Sequence, residues 1–421
     1  MKKILIICPW YFPLFHPRPF RWTNIAESLA AEGFEVHVLC SNLDKRQSEE
    51  VVNNVFVHRT GFESLKEVLY YFFKVKNQRG RVAKEMVLPS KSSFLASIAI
   101  KIYTFFKKML FPDESILWYC LGKKRAEALM KIHDFSDVIS VSMPFTSHLV
   151  ASSLKKKFPN LNWIVDIGDP LFNEKHTGIR KIYAAKLKKI EKNILEKADK
   201  VSVTNQNLIA YYEKNLGTNT EKIKVIFPLS TFKSLNDIFE NKENSILKMT
   251  YFGAFYTPER TPKMLLDFLF LLKRSKMKVE ISIFGDILPE FVADFTNFEN
   301  VKLKGLISRN DTEKAMQKSD ILINIGNTTA WQLPSKIADY MVIEKPILHF
   351  SQVANDPCLA FFNQNHFVIN EKTLENKNVL PLFEVWVEQI KDTNDIFFSP
   401  KNKFFTLEYI VNEYKLLLSG R

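Results

Sequence analysis

The sequence predicts an α/β protein with two doubly wound parallel sheets, and three observations lead to this fold class. At 421 residues the chain exceeds what one ordinary hydrophobic core supports, so two domains are expected. Short apolar runs typical of buried strands alternate with segments of helical periodicity. This alternation occurs twice, on either side of a polar, irregular stretch from Pro228 to Asn244 that we interpret as a linker.

The first half begins with an apolar run, Lys3–Cys8, that predicts the first strand. The helix Thr23–Glu32 follows and stops at Gly33, and Glu35–Cys40 is the next strand. The later strands and the helix Ser147–Phe158 repeat the pattern, and the strands are Asp137–Ser142, Trp163–Ile167, Asp199–Thr204 and Lys222–Ile226. Such alternation is typical of a parallel sheet with helices on both faces.

The second half starts again at the strand Lys248–Phe252, and its last predicted helix is Leu407–Leu418. The elements predicted between them are Lys263–Lys273, Glu280–Phe284, Val301–Leu303, Glu313–Lys318, Ile321–Ile325, Ser335–Val342 and Pro346–Phe350. The predicted domains are residues 1–228, residues 229–400, and residues 401–421, a terminal helix that packs back on the first domain. Because doubly wound sheets bind ligands beyond the carboxyl ends of their strands, we expect the two domains to face each other across a cleft.

The net charge of +13 is concentrated in the first half of the chain. Residues 1–228 contain 36 Lys and Arg against 22 Asp and Glu, a balance of +14, and the remainder contains 23 against 24. This asymmetry indicates an anionic partner for the first domain, either a membrane surface or a nucleic acid. The basic residues are dispersed and match no known nucleic-acid module, so the membrane is favoured.

Several features predict a cytoplasmic protein. No run of eighteen apolar residues is present, so no membrane-spanning helix is expected. The apolar run Ile4–Ile7 is too short for the core of a signal peptide. The 4 cysteines are widely separated, which indicates neither a disulfide framework nor a zinc site.

The most informative motif follows the strand Ile321–Ile325 and opens a helix at Ser335 and Lys336. A helix start with free backbone N–H groups, a hydroxyl and a cation suits a phosphate. Asp339 lies three residues after Lys336 on the same helical face, where it suits ribose hydroxyls. The polar turn before the helix supplies the further candidates Asn327, Thr328 and Gln332. The motif therefore predicts a nucleoside diphosphate site, and an ordinary turn with a solvated lysine remains the alternative.

In order and spacing, the motifs of the second half resemble those of the family 4 glycosyltransferases, which have the GT-B fold. The resemblance covers nearly the whole chain. In the second half it rests on Gly253 after a strand, Arg260 and Lys263 beyond it, the run Ile281–Gly285, and Leu333–Lys336. In the first half the segments Phe111–Asp113, Pro144–Leu149 and Trp163–Pro170 resemble a bacterial polysaccharide-synthesis subgroup.

The resemblance implies transfer of a sugar from a nucleotide-diphosphate sugar to a glycan or lipid-linked acceptor, with retained configuration and with no metal or other cofactor. It assigns acceptor binding to the first domain and nucleotide-sugar binding to the second. Arg260 and Lys336 would neutralise the departing diphosphate, with Gly253, Lys263 and Ser335 also at the donor. The implied acceptor is a polyprenyl-diphosphate-linked glycan used in a bacterial surface polysaccharide such as lipopolysaccharide.

The chain departs from the family pattern at the donor motif. The family has two glutamates eight positions apart, and Trp331 and Asp339 occupy the corresponding positions here. In relatives the first carboxylate touches the donor sugar, and here Trp331 replaces it with Gln332 beside it. Trp331 is expected either to stack on the sugar or to fill the core, which leaves the sugar and the stereochemistry open.

The acceptor candidates lie in the first domain. The loop after the first strand lacks the usual glycine pair and carries His16, Arg18 and Arg21, which suit an acceptor phosphate unless they are surface residues. Asp169 stands close to the place where relatives have a histidine. It would orient the acceptor hydroxyl or act as a base, and the alternative is a cap on the next segment. Ser142, at the end of a neighbouring strand, is also predicted to bind the acceptor.

Two segments rich in aromatic residues and lysine, Ser64–Phe73 and Ser92–Leu110, predict contact of the first domain with a membrane surface. They equally fit helices that cover the sheet. Two other functions stay open: a sugar-nucleotide epimerase on the same fold, and a catalytically silent subunit that binds a glycan or a partner. The missing glutamate at Trp331 is the feature that supports the silent subunit.

Overall fold

The computed structural model describes residues 1–13, 17–42, 46–62, 109–173, 179–233, 246–255, 257, 259–376, 378–392 and 401–419. The chain forms two compact units, one of Met1–Ile226 with Ile410–Arg421 and the other of Phe227–Tyr409. No helix in these described ranges is long and apolar enough to cross a membrane. The segment Ser64–Phe73 and most of Ser92–Leu110, predicted to contact a membrane, lie outside the described residues.

The first unit is built on an eight-stranded sheet. Its strands are β1 (Lys3–Ile7), β2 (Glu35–Cys40), β3 (Glu49–Val52), β4 (Val55–Arg59), β5 (Asp137–Val141), β6 (Asn162–Ile167), β7 (Lys200–Val203) and β8 (Ile223–Val225). Their order is β3-β4-β2-β1-β5-β6-β7-β8, and each described pair of neighbours is parallel except β3 and β4. The described helices between these strands are α1 (Pro17–Ala31), α2 (Tyr119–Ile132), α3 (Thr146–Lys157), α4 (Ile179–Ile182), α5 (Ala184–Lys197) and α6 (Gln206–Leu216).

The second unit is built on a six-stranded sheet. Its strands are β9 (Leu247–Phe252), β10 (Val279–Phe284), β11 (Val301–Gly305), β12 (Ile321–Ile325), β13 (Ile347–Phe350) and β14 (His366–Ile369). Its described helices are α7 (Lys263–Leu272), α8 (Pro289–Phe295), α9 (Arg309–Gln317), α10 (Lys336–Ile343), α11 (Glu371–Glu375) and α12 (Val379–Asp392). The strands are all parallel in the order β11-β10-β9-β12-β13-β14.

The strand order of the second unit determines where a ligand is expected. The order reverses between β9 and β12, because the chain adds strands on one side of β9 and then returns to add strands on the other. Loops leave the sheet in opposite directions at such a switch point, which opens a crevice at the carboxyl ends of the two strands. In the first unit the corresponding switch lies between β1 and β5. The prediction of two doubly wound parallel sheets is confirmed.

The sheets are stable because helices cover them and their strands are apolar. Strands β5, β6 and β12 are buried at every residue, as expected for parallel strands with both faces covered. The last helix, α13 (Leu407–Ser419), buries its stripe of apolar residues in the first unit. One of them, Tyr414, donates its hydroxyl to the buried carboxylate of Asp166 at 2.8 Å, so a specific polar contact fixes the position of this helix.

Candidate active site

Glycines end the strands β9 and β10 because the neighbouring groups leave no room for a side chain. A Cβ atom on Gly253 would lie 2.5 Å from the hydroxyl of Tyr251. A Cβ atom on Gly285 would lie 1.8 Å from the carbonyl oxygen of Gly253, and Gly285 has a φ of +141°, which favours glycine. The two loops therefore turn sharply and close together at the carboxyl edge of the sheet. This edge is where the predicted donor residue Gly253 lies.

The turn after β12 holds Arg260 in place. Asn327 is 2% exposed, and its side-chain oxygen accepts a hydrogen bond from Arg260 Nη2 at 2.7 Å. The same amide donates to the carbonyl oxygen of Gln332 at 3.2 Å. The backbone N–H of Thr328 donates to the carbonyl oxygen of Glu259 at 3.1 Å, which ties the two loops together. The structure thus brings together four of the residues predicted to bind the donor.

Lys336 is the first residue of α10 and stands among cations. Burial, together with the positive charges of Arg260 and Arg309, lowers the pKa of the Lys336 ammonium to about 7, and the negative charge of Asp339 opposes this shift. An anion placed at this helix start would relieve the repulsion between the cations and restore the charge on Lys336. The cluster therefore favours an anionic ligand. Ser335, which precedes α10, is exposed at the same helix start.

Asp339, the predicted ribose ligand, is buried and already accepts three hydrogen bonds. Arg309 donates Nη1 to Oδ2 at 3.0 Å and Nη2 to Oδ1 at 2.6 Å, and the hydroxyl of Ser230 donates to Oδ1 at 2.7 Å. The Arg309 guanidinium also lies 4.0 Å from the centre of the Phe232 ring. A carboxylate offers about four acceptor positions, so roughly one remains for a ligand hydroxyl. The sequence reasoning missed Arg309 and Ser230, because nothing in the local pattern pairs them with Asp339.

Two other donor candidates, Trp331 and Lys263, differ in their exposure. Trp331 is half-buried in the turn before α10, so it is not a complete core residue and keeps part of its surface accessible. Lys263 is exposed on the first residue of α7. It lines a surface groove of about 280 Å³ together with Phe270 and Phe291. The structure thus places Lys263 on this groove and not among the charges that act on Lys336.

In the first unit, Arg18 reaches the carboxyl end of β6. Its Nη1 donates to Asp166 Oδ2 at 3.2 Å. A Cβ atom on Gly168 would lie 0.7 Å from Arg18 Nη2, so the glycine at this position makes room for the guanidinium. Burial opposes the charge on Asp166, but the charges of Arg18 and Arg21 and several hydrogen bonds prevail and hold the pKa of Asp166 below its usual value. The other donors to Asp166 are Trp22, Ser202 and Tyr414.

The prediction that Arg21 binds the acceptor is corrected by its position. Arg21 is 5% exposed, and its Nη2 donates to the carbonyl oxygen of Ile226 at 3.2 Å and to the hydroxyl of Tyr414 at 3.3 Å. The guanidinium therefore donates hydrogen bonds in the interior of the unit, where an acceptor substrate does not reach it. His16, which was predicted to act with the two arginines, lies outside the described residues.

Ser142 and Asp169 meet at the ends of β5 and β6. The Ser142 hydroxyl is buried and accepts a hydrogen bond from the backbone N–H of Gly168 at 3.1 Å, and Asp169, next to Gly168, is half-buried. The structure thus brings together three predicted acceptor residues, Arg18, Ser142 and Asp169, at one edge of the sheet.

Glu191 on α5 holds the loop that follows Asp169, and the sequence reasoning missed it. Its carboxyl oxygens accept hydrogen bonds from the backbone N–H groups of Leu171 at 2.7 Å and Phe172 at 2.8 Å. The hydroxyl of Tyr212 donates to the same carboxyl at 2.9 Å. Complete burial outweighs these donors and raises the pKa of Glu191 to about 7. A glutamate in the middle of a helix pattern normally indicates a solvated face, so the sequence carried no signal for this role.

Two groups of potential metal ligands occur in the described part of the chain, and neither includes a predicted site residue. One comprises Glu35, His37 and His133. The other comprises His349, Asp356 and Cys358, which are all buried. In the second group His349 Nε2 lies 3.1 Å from Asp356 Oδ2, and the other carboxylate oxygen accepts from the backbone N–H of Cys358 at 2.9 Å. These contacts indicate a closed structural network.

Neither protein-family models nor curated protein sequences match this chain. Solved structures match it over its full length. Sucrose-phosphate synthase from Thermosynechococcus elongatus aligns with 99% of this chain and 98% of its own, with a TM-score of 0.62 and 12% identity. HepE of Anabaena, solved with UDP and glucose, aligns over 100% of both chains with a TM-score of 0.58 and 13% identity. The lipopolysaccharide outer core galactosyltransferase WaaB aligns over 99% of both chains with a TM-score of 0.59 and 15% identity.

The chain has the GT-B fold. This fold confirms the structural part of the predicted resemblance. At identities of 12% to 15% the likeness concerns the fold alone, because one fold serves many different functions.

Proposed function

We propose that this protein is a glycosyltransferase that uses a nucleoside diphosphate sugar as donor. The observation that carries the proposal is the cluster of Arg260, Arg309 and Lys336 at the switch point of the six-stranded sheet. Cleavage of the donor leaves negative charge on the diphosphate. Cations fixed in advance beside a helix N-terminus stabilise that charge without reorganisation in the transition state.

Each part of the donor has a residue suited to it. The backbone N–H groups at the start of α10, with Ser335 and Lys336, suit the diphosphate. The remaining acceptor position of Asp339 suits one ribose hydroxyl. Trp331, with its accessible surface, and Gln332 would then lie beside the sugar in place of the carboxylate of relatives. We infer that these cations supply the charge that a divalent metal supplies in other transferases, and that the reaction retains the anomeric configuration.

The acceptor residues in this proposal are Arg18, Ser142 and Asp169. Asp169 would orient the acceptor hydroxyl and take its proton, and Arg18 would bind an acceptor phosphate. HepE is solved with UDP and glucose, and WaaB and WaaG are described as lipopolysaccharide enzymes. We extend this chemistry to the present chain and propose a UDP-sugar donor and a polyprenyl-linked or other glycan acceptor of a bacterial surface polysaccharide.

We propose that the protein works in the cytoplasm, at the inner face of the membrane. The supporting observation is charge: residues 1–228 carry the whole excess of +14, from 36 basic and 22 acidic residues. Basic residues attract an anionic lipid surface over distances of about one Debye length, roughly 8 Å at physiological salt. A lipid-linked acceptor would be presented at that surface.

Nucleotide binding tests the donor site. The thermal unfolding midpoint is measured with UDP, GDP, ADP, CMP and TDP for the wild type, Lys336→Ala and Lys318→Ala, in which an exposed lysine after α9 serves as control. A nucleotide at one hundred times its dissociation constant stabilises the wild type and the control by about 2.7 kcal/mol. We expect Lys336→Ala to lose this stabilisation. If none of the nucleotides stabilises the wild type, or if Lys336→Ala responds like the wild type, the donor site is wrong.

A turnover assay distinguishes a glycosyltransferase from a catalytically silent subunit that only binds the nucleotide. The replacement of the family glutamate by Trp331 is the feature that supports the silent subunit. The chain is incubated with the sugar derivative of the nucleotide that it binds, in the presence of vesicles containing a polyprenyl-diphosphate-linked saccharide. Release of the free nucleotide together with labelled lipid-linked product supports the transferase, and loss of this product in Asp169→Asn supports the acceptor residue. Tight nucleotide binding with neither transfer nor donor hydrolysis supports the silent subunit.

A further inference from the structure

Four side chains form a line across the strands β2, β4 and β3 of the first sheet, and neutral histidines do not provide enough hydrogens for the contacts in this line. His37 Nε2 lies 3.1 Å from Glu35 Oε1, and His37 Nδ1 lies 2.8 Å from His58 Nε2. His58 Nδ1 in turn contacts the carboxylate of Glu49. Each of these three contacts needs one hydrogen. Two neutral imidazoles carry only one N–H each, so whichever tautomers they adopt, one contact joins two lone pairs.

The line therefore needs either a third proton, on an imidazole or on a carboxyl group, or a metal ion. His37 is 1% exposed and stacks against Phe56 at 4.7 Å between ring centres. A third proton would place an imidazolium in this apolar setting or would neutralise a carboxylate that is paired with Lys3 or Arg125. A metal ion needs only the lone pair already directed at Glu35.

Besides Glu35 and His37, a third potential metal ligand lies near this end of the line. His133, which follows α2, places its Nδ1 3.9 Å from Glu35 Oε1, and its ring centre lies 4.3 Å from that of His37. The three ligand atoms of Glu35, His37 and His133 all lie within 4.8 Å of one another. In a tetrahedral zinc site with bonds of about 2.0 to 2.1 Å, the ligand atoms are about 3.3 Å apart. The partly exposed ring of His133 has only a small distance to move.

The other end of the line supplies the outer partners of such a site. With the metal on His37 Nε2, the proton of His37 lies on Nδ1 and is donated to His58, and His58 donates its own proton to Glu49. Glu49 is in turn paired with Arg125. A carboxylate that orients a metal-bound imidazole is the usual outer arrangement of histidine metal sites, and here a second imidazole relays it.

Lys3 also contacts Glu35. Its ammonium lies 3.1 Å from the same carboxylate oxygen, Oε1. Lys3 is partly exposed, at 34% for its side chain, and a carboxylate has two oxygens. Lys3 therefore keeps a partner when Oε1 binds a metal, and it does not supply the hydrogen that the line lacks, because it contacts neither histidine within the described contacts.

We propose that Glu35, His37 and His133 bind one zinc-class divalent metal ion that joins β2 to the end of α2. The site is separate from the proposed acceptor site, because Glu35 pairs with Lys3 at the amino ends of β2 and β1, the opposite edge of the sheet from the acceptor candidates. The ion has three protein ligands and one water. The proposal does not depend on the glycosyltransferase function.

The test measures zinc in the full, untagged chain after dialysis against a chelator and re-addition of zinc chloride. The wild type and Asp134→Asn, which changes an exposed neighbour of His133, each bind one zinc per chain, and zinc raises their unfolding midpoints. His133→Ala and Glu35→Gln bind zinc at least about 100-fold more weakly, and zinc leaves their midpoints unchanged.

Glu35→Gln also gives a readout that a merely structural glutamate would not give. Its amide supplies the missing N–H to His37 Nε2, so without zinc this variant unfolds at the same or a higher temperature than the wild type. The proposal is overturned if the wild type binds no stoichiometric zinc, which would mean that the line takes a third proton. It is also overturned if His133→Ala and Glu35→Gln both bind zinc as tightly as Asp134→Asn.

Discussion

Replacement of Glu191 by glutamine should change the pH dependence of stability in a defined direction. The carboxyl of Glu191 is completely buried, and its pKa in the folded protein is raised to about 7 from an ordinary value of 4.5. The folded protein therefore keeps a proton between pH 4.5 and 7 that the unfolded chain has already lost. The stability from this group is complete below pH 4.5 and is lost as the pH rises through 7.

The magnitude follows from the same two values. A difference of about 2.5 pKa units corresponds to about 3 kcal/mol. Glutamine is neutral at every pH, but its NH₂ group must face a backbone N–H of either Leu171 or Phe172, where a carboxyl oxygen now accepts. One lost hydrogen bond with an unsatisfied buried donor costs about 1–3 kcal/mol. Glu191→Gln should therefore have a lower free energy of unfolding than the wild type at pH 5. By pH 9 this difference should be about 3 kcal/mol smaller, or its sign should be reversed.

Urea unfolding of the two chains at five pH values from 5 to 9 measures this difference. All other titrating groups are common to both chains, so their contributions cancel in the subtraction. Glu196→Gln, an exposed change on the same helix, should stay within about 0.5 kcal/mol of the wild type at each pH. Parallel stability curves for the wild type and Glu191→Gln would refute the reasoning, because they would show that Glu191 titrates alike in the folded and unfolded chains.

Three further substitutions test other contacts of the structure. Gly285→Ala places a Cβ atom 1.8 Å from a carbonyl oxygen at a φ of +141°, so we expect a loss above about 4 kcal/mol, seen as a collapse in soluble folded protein. Arg309→Ala removes the bidentate partner of the buried Asp339. It should lower the free energy of unfolding by about 1–3 kcal/mol, and an unchanged thermal midpoint would contradict this. Tyr414→Phe removes a hydrogen bond to the charged Asp166, which should cost about 1.5–3 kcal/mol and expose the last helix to limited proteolysis.

The elements predicted from the sequence are those whose signal is local. The strand Ile321–Ile325 and the helix start at Lys336 are visible as an apolar run followed by a polar turn, and both are present. The hairpin of β3 and β4 was missed. Its signal was the pair Asn53 and Asn54, both with positive φ, but β3 is only partly buried and begins with two glutamates, so it lacks the apolar pattern of a core strand.

Most of the candidate site beyond the helix start could not be predicted, because its contacts join residues far apart in the chain. The sequence predicts Asp339 as a ribose ligand from its position, while its partners Arg309 and Ser230 stand 30 and 109 positions away. Glu191 holds a loop 19 and 20 positions earlier. Sequence spacing shows which side chains share one helical face, and it does not show which distant groups satisfy a buried carboxylate.

The spacing of residues along α1 indicates that both of its arginines lie on one face of the helix. The buried residues Trp22, Ile25 and Leu29 recur at helical spacing, and the same stripe extended backwards passes through Arg18 and Arg21. Both arginines therefore belong to the face that packs on the sheet. A cation on such a face requires a buried anion, and in the structure this anion is Asp166 in the apolar strand β6. The difference between the two lies at Gly168, because the missing side chain there gives Arg18 alone a path to the carboxyl end of the strand. For this reason we propose Arg18, and not Arg21, as the arginine that binds the acceptor.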